Sequence, residues 1–220
     1  MFDRPMTTSR NRLRAWIDSI FIDHAIFRLF WTNLAPIIDG AFYRCNHPTP
    51  RRLRRLKSRL GIRTLINLRG HRKCGSDALS RWAAAELGIK LIDMAFESRG
   101  APHRDRILRF HEIYQSVETP VLLHCKSGAD RAGLAAGLII MFRGGTASEA
   151  LQQLHWRFGH FKQARTGVLD AFFHLYQRQA EGRLSFLEWV KHEYDEDGLR
   201  ASFQAARLSS FLTDKLLRRE

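Results

Sequence analysis

The residues best able to do chemistry lie in one segment, Val121-Leu-Leu-His-Cys-Lys-Ser-Gly-Ala-Asp-Arg-Ala-Gly133. Within it Cys125 precedes Arg131 with five residues between them. That spacing alone says little, because Cys45 precedes Arg51 at the same interval in Cys-Asn-His-Pro-Thr-Pro-Arg. The intervening residues separate the two copies. Between Cys45 and Arg51 stand Pro48 and Pro50, which lack an N–H, and there is no glycine. From Lys126 to Arg131 every residue carries an N–H, and Gly128 admits the positive φ that a tight loop needs. Converging N–H groups make a cradle for an anion. An apolar strand precedes the loop and a helix follows it, so the helix N-terminus points at the same anion. Cys45–Arg51 reads as coincidence and Cys125–Arg131 as a site.

The side chains then take roles. Cys125, beside a helix start and opposite Arg131, is placed to react as the nucleophilic thiolate. Arg131 offers a planar fork that grips two phosphate oxygens and stabilises charge in a transition state. Lys126, Ser127, Gly128, Ala129, Asp130 and Arg131 form the expected binding loop. His124 reads as a buried residue that orients the loop, since a thiolate needs no base. Ala132 and Gly133 are expected to let the helix pack closely on the sheet.

His-Cys-Lys-Ser-Gly-Ala-Asp-Arg-Ala-Gly resembles the signature of the cysteine-dependent protein tyrosine phosphatases, nearest to the dual-specificity and tensin-type branch. Phe42-Tyr-Arg-Cys-Asn-His-Pro and Gly61-Ile-Arg-Thr-Leu-Ile-Asn-Leu-Arg-Gly70 also resemble the opening strands of compact bacterial and fungal members. The resemblance covers about residues 40–160. It implies two-step hydrolysis through a phosphocysteine, with no metal or cofactor. Two positions depart from the pattern. The family usually has Ser or Thr after the arginine, where this chain has Ala132, which implies slow breakdown of the phosphoenzyme. The family's general acid is an Asp in a Phe-Glu-Asp pattern, where this chain reads Phe96-Glu97-Ser98. Glu97 is the first candidate for that acid. Asp105, Asp93, or no carboxylate at all are the alternatives.

Elements must hold these residues. Residues about 9–32 read as a helix with an apolar surface of Trp16, Ile17, Ile20, Phe21, Phe27 and Trp31. It either packs on the catalytic domain or docks on a membrane or partner. Strands are expected at Ala41–Cys45, Ile62–Leu68, Ile89–Phe96 and Val121–His124. Helices are expected at Arg51–Leu60 (capped by Thr49 and ended by Gly61), Asp77–Leu87, His103–Val117 and Arg131–Phe142. Three more are expected at Thr146–Phe158, Thr166–Gln179 and Ser185–Tyr194. A final amphipathic stretch carries Phe203, Leu208, Phe211, Leu212 and Leu216. Strands alternating with helices indicate an α/β fold with a mainly parallel central sheet flanked by helices. The expected division is an N-terminal helical extension (1–38), a phosphatase-type catalytic domain (39–180) and a C-terminal helical extension (181–220).

The 220 residues are enough for a core that needs no staples. Three scattered cysteines exclude a disulfide framework and show no zinc spacing. No secretory signal is expected at the start, and charges interrupt the Trp16–Trp31 stretch, which argues against a membrane span. The setting is expected to be cytoplasmic, or peripheral to the inner face of the membrane. The net charge of +14 favours anionic partners, and residues 1–60 contribute 12 basic against 4 acidic residues, +8 of it. Arg51, Arg52, Arg54, Arg55, Lys57 and Arg59 read as a solvated helix face or an anion-binding one. Arg69 and Arg72 read as ordinary surface charge or as the rim of the site. The expected partner is a phosphorylated protein, or a phosphorylated small molecule or lipid, with an anionic membrane surface as a further partner. No specific nucleic acid is expected, since no such signature accompanies the charge. The function expected is phosphomonoester hydrolysis through Cys125 on tyrosine or dual-specificity protein substrates. The alternatives are a lipid or inositol phosphate phosphatase at an anionic membrane, and a phosphate-binding pseudophosphatase.

Overall fold

A computed structural model describes residues 6–23 and 31–217, with side chains as far as residue 206. The strands are β1 (Ala35–Ile38), β2 (Phe42–Cys45), β3 (Thr64–Asn67), β4 (Lys90–Asp93) and β5 (Val121–His124). Their order in the sheet is β1-β2-β5-β3-β4. All neighbours are parallel except β1, which pairs antiparallel with β2 at the edge. β5 runs up the centre and is buried on both faces, which suits Val-Leu-Leu-His. Its residues alternate between two cores. Val121 and Leu123 join one, and Leu122 joins the other.

Helices cover both faces. They are α1 (Ser9–Phe21), α2 (Pro50–Leu60), α3 (Gly75–Glu86), α4 (Arg104–Ser116), α5 (Asp130–Phe142), α6 (Ala147–Leu151), α7 (Val168–Gln179), α8 (Phe186–His192) and α9 (Glu196–Leu217). α2 and α3 bury Leu53, Leu56, Ala83 and Ala84 against Cys45, Leu65 and Leu122. On the other face, α5 is buried nearly all round, as an interior helix must be when it is apolar on every side. The aromatic cluster of Phe172, Phe173, Tyr176, Phe186, Trp189 and Tyr194 shares that core.

Several elements differ from expectation. The first helix ends at Phe21. Trp31 lies beyond it in irregular chain, and Phe27 lies outside the described residues. β3 and β4 are shorter than the apolar runs Ile62–Leu68 and Ile89–Phe96. β1 was unforeseen; its Pro36 is tolerated because an edge strand has N–H groups to spare. The helix expected at 146–158 stops at Leu151, followed by a 3-10 turn at Trp156–Phe158. Beyond it, the Gln153 carbonyl accepts from the Arg44 guanidinium at 2.7 Å. A Cβ added at Gly133 would meet Leu154 at 2.7 Å and the Gln153 carbonyl at 2.8 Å. Gly133 therefore serves close packing of α5 on the segment after α6, not on the sheet.

The N-terminus of α5 is tied to α7 by a buried histidine. His160 places Nδ1 2.8 Å from an Asp130 carboxylate oxygen and Nε2 2.6 Å from one of Asp170. Carboxylates only accept, so both ring nitrogens donate and the ring is an imidazolium. Burial works against that charge, but the hydrogen bonds to Asp130 and Asp170 outweigh it and raise the ring to about 9. The folded value lies above the ordinary one near 6.5. The stabilisation is therefore complete below pH ~6.5 and is lost as pH rises through ~9. His160→Asn should cost roughly 3 kcal/mol at pH 6. Denaturant unfolding from pH 6 to 10 checks this: the gap between wild type and variant should close towards pH 10, and a constant gap would exclude the imidazolium.

Candidate active site

β2, β3 and β5 end level, with Cys45 and Asn67 both in register with His124. The loops that follow these strands therefore meet at one end of the sheet, the usual place for a site in an open parallel sheet. Cys125 is the first residue beyond β5 and is 2% exposed.

The loop after Cys125 curls because its carbonyls are held outward one by one. The Lys126 carbonyl accepts from the His47 N–H at 3.3 Å. The Ser127 carbonyl accepts from the Asn33 amide at 2.8 Å. The Gly128 and Ala129 carbonyls accept from one Arg44 nitrogen at 2.7 and 3.1 Å. With the carbonyls outside, the N–H groups face in. That of Gly128 lies 3.2 Å from the Cys125 sulfur. Among the described residues, the N–H groups of Lys126, Ser127, Asp130 and Arg131 have no hydrogen-bond partner within the protein. Gly128 has φ +78°, and a Cβ there would fall 2.7 Å from the Asn33 Cβ and 2.8 Å from the Asn46 nitrogen, so only glycine fits.

Arg44 is fully buried in β2. Its second terminal nitrogen binds the Gln153 carbonyl and side chain, and its guanidinium lies 4.0 Å from the Phe158 ring centre. Burial lowers it to about 10, still charged at neutral pH. Arg131, at the start of α5, is different. It is half-buried, and among the described residues it makes no hydrogen bond or ion pair. Burial pulls its guanidinium below the ordinary arginine value, the Cys125 sulfur opposes this, and the neighbouring charges of Arg69 and Arg72 add to the lowering. The site thus holds an open cation and open N–H donors around one sulfur.

The remaining predicted binding residues separate. Ser127 turns its hydroxyl to the Ala129 N–H at 3.3 Å. Asp130 is engaged by His160, and so does not stand as an open negative charge in the loop. Lys126 lies 3.4 Å from Asp23, whose carboxylate also takes two hydrogen bonds from Arg69, each 3.1 Å. Arg69 is therefore part of a buried ion pair, and Arg72 is exposed next to it. His124 is fully buried, and burial lowers it to about 3, so it is neutral; its Nδ1 lies 3.4 Å from the Cys125 carbonyl and its Nε2 has no hydrogen-bond partner among the described residues. Cys45 is also fully buried, and burial pushes its thiol up, far from reactivity, while Arg51 is exposed on α2.

The carboxylates considered for the acid do not join this cluster through any hydrogen bond or ion pair among the described residues. Glu97 pairs with Arg106 on α4, with His103 at 3.7 Å, and its second oxygen is buried without a partner. Asp93 is bound by Arg81 at 2.6 Å and Asn67 at 3.1 Å. Asp105 is exposed on the first turn of α4.

Sequence reasoning passed over Arg44, Asn33, His47, Asp23 and His160. For Arg44 a signal existed: an arginine inside a short buried strand needs a partner for its charge. For the others the partners come from distant segments and leave no local pattern.

Residues 36–166 match the family model described as DSP-PTPase phosphatase fused to NAD+ kinase. A search of curated proteins finds no match. Among solved structures, TpbA of P. aeruginosa is similar over 78% of this chain and 90% of its own, at 22% identity and a TM-score of 0.54. The core catalytic domain of the S. cerevisiae PP-IP phosphatase SIW14, solved with citrate, is similar over 69% of this chain and 89% of its own, at 20% identity and a TM-score of 0.55. A cysteine-to-serine form of TpbA in complex with phosphotyrosine is similar over 78% of this chain and 94% of its own, at 21% identity and a TM-score of 0.53. These likenesses agree with the fold, and the match over more than half the chain supplies the family: this chain belongs to the DSP-PTPase phosphatases of that description and is a cysteine-dependent phosphatase.

Proposed function

We propose that the chain hydrolyses phosphomonoesters with Cys125 as nucleophile and Arg131 as phosphate-binding residue. The observation that carries this is the half-buried Arg131 guanidinium, without a protein partner among the described residues, beside a loop of open N–H groups around the Cys125 sulfur. The thiolate attacks phosphorus, the ester P–O bond breaks, and the leaving oxygen takes a proton. Water then attacks the phosphocysteine, the S–P bond breaks, and inorganic phosphate leaves with the thiolate restored. The N–H groups and Arg131 hold the three non-bridging oxygens through both steps.

The first substrate reading is phosphotyrosine or dual-specificity protein substrates, supported by the phosphotyrosine complex of a TpbA variant. The second is a small molecule with several phosphates. Arg72, exposed beside the loop, favours it, and SIW14 is a PP-IP phosphatase. Retention on Cys125→Ser protein distinguishes them. Phosphotyrosine peptides held in preference to soluble inositol polyphosphates support the first reading, and the reverse supports the second.

Glu97 is the proposed acid by its place on the loop after β4. Its pair with Arg106 would have to open before it could protonate a leaving oxygen. Glu97→Gln should then slow phenyl phosphate turnover by about 10²-fold and leave p-nitrophenyl phosphate turnover nearly unchanged. Equal effects on both would remove Glu97 from the role.

Cys125→Ser should abolish p-nitrophenyl phosphate hydrolysis, and Arg131→Lys should lower kcat/KM by roughly 10²–10³-fold with unchanged thermal stability. Retained activity in the serine variant would overturn the assignment. Arg44 acts through the loop. Arg44→Met should lower kcat/KM by about 10²-fold and weaken inhibition by inorganic phosphate to a similar degree, whereas Arg44→Lys should recover part of both. Loss of stability with normal phosphate inhibition would make Arg44 merely structural.

A further inference from the structure

The large apolar side chains that stand exposed among the described residues are Leu13, Ile17, Phe21, Ile22, Trp31, Leu34, Trp156 and Phe161. They come from three segments, and all three touch the catalytic loop or its support. The chain just beyond α1 brings Asp23 to Lys126 and Arg69. Asn33, between Trp31 and Leu34, binds the Ser127 carbonyl and the Phe158 carbonyl, each at 2.8 Å. Trp31 lies against Gly159, where an added Cβ would sit 2.5 Å from its ring. Trp156 and Phe161 flank that contact, 71% and 60% exposed. On α1, Leu13, Ile17 and Phe21 recur at four-residue intervals, while Ala15 and Ser19 are buried and Ala15 packs against Gly75 of α3. One side of α1 is thus bound to the protein and the other presents an apolar stripe.

The exposed charges in these segments have one sign. Residues 6–23, 31–34 and 156–165 contain Arg10, Arg12, Arg14, Arg157, Lys162 and Arg165. Their acids are Asp18 and Asp23. Asp18 accepts from the Gly75 N–H, and Asp23 is buried against Arg69 and Lys126. Arg10, Arg157, Lys162 and Arg165 are exposed. Apolar and aromatic side chains interleaved with cations match the chemistry of a membrane surface with anionic headgroups. No helix among the described residues is long and apolar enough to cross a bilayer.

We infer that this rim docks on an anionic lipid bilayer, with the mouth of the Cys125 loop facing the headgroups. The apolar side chains enter the headgroup–acyl boundary and the cations meet lipid phosphates. The inference concerns where the enzyme works. It holds whether the phosphate removed belongs to a protein or to a lipid, and binding is read without turnover.

The test is flotation of the full chain with vesicles of phosphatidylcholine, with or without about one-third phosphatidylglycerol, at low and high salt. Binding should need the anionic lipid and fall at least about tenfold at high salt. Trp156→Ser/Phe161→Ser and Ile17→Ser/Phe21→Ser should each weaken it by about tenfold or more, with p-nitrophenyl phosphate turnover unchanged. If a serine pair fails to fold, Lys162→Glu/Arg165→Glu provides the same reading through charge. Three results would overturn the inference: no binding to anionic vesicles at low salt, binding indifferent to every variant that folds, or a dimer in sedimentation velocity that the Trp156/Phe161 substitutions dissociate. The last would mean that a second copy covers this face.

Discussion

The site depends on where four peptide carbonyls point. An anion cradle needs N–H groups turned inward, and a short loop can do this only if its carbonyls find partners outside. The chain supplies one from each direction: the His47 backbone, the Asn33 amide, and an Arg44 nitrogen shared by Gly128 and Ala129. An unmatched buried carbonyl costs about 1–3 kcal/mol, so these partners decide the loop's shape before any ligand arrives. Arg44 is costly to bury, and its placement makes sense because a cation satisfies several carbonyls at once. It also binds Gln153, which connects the loop to the segment after α6. The price in desolvation is offset only while all these contacts stand together.

The same constraint sorts the charges around the reacting sulfur. Asp130 would oppose a phosphate if it stood open, and the His160 imidazolium engages it. Arg69 and Lys126 would both favour an anion, and Asp23 engages them from the chain beyond α1. Arg131 stays without a protein partner among the described residues. The net charge of +14 therefore contributes little directly to the reacting phosphate. In the proposed mechanism one guanidinium and a set of backbone dipoles at the start of α5 carry that task, and much of the remaining charge lies on surfaces such as α2.

Local patterns made much of the framework legible in the sequence. β5 and α2 follow their apolar spacing almost to the residue, and Thr49, Pro50 and Gly61 bound α2 as their chemistry dictates. The contrast between Cys125 and Cys45 was also readable, since prolines in one loop and glycine in the other differ in N–H donors. What could not be read was contact between distant segments. Asn33 reaches a loop 94 residues away, and Asp23 reaches Arg69 across 46. The end of α6 was hidden because the chain beyond it answers to Arg44 and Gly133, not to its own periodicity. β1 was hidden because an edge strand with a proline has almost no signal of its own.

The two departures from the family pattern fall on different steps of the reaction. A proton donor assists expulsion of the leaving oxygen, so the role proposed for Glu97 bears on formation of the phosphocysteine. A hydroxyl after the arginine would assist departure of the sulfur, so Ala132, fully buried and unable to donate, bears on its breakdown. The cradle serves both steps, because the same three oxygens carry the charge in each. An activated aryl phosphate needs little help to leave and makes the first step fast. Under the proposed mechanism breakdown then limits turnover, and phosphoenzyme should accumulate on such substrates. With a poor leaving group the first step becomes limiting, and Ala132 ceases to matter. The leaving group thus selects which of the two departures governs the rate.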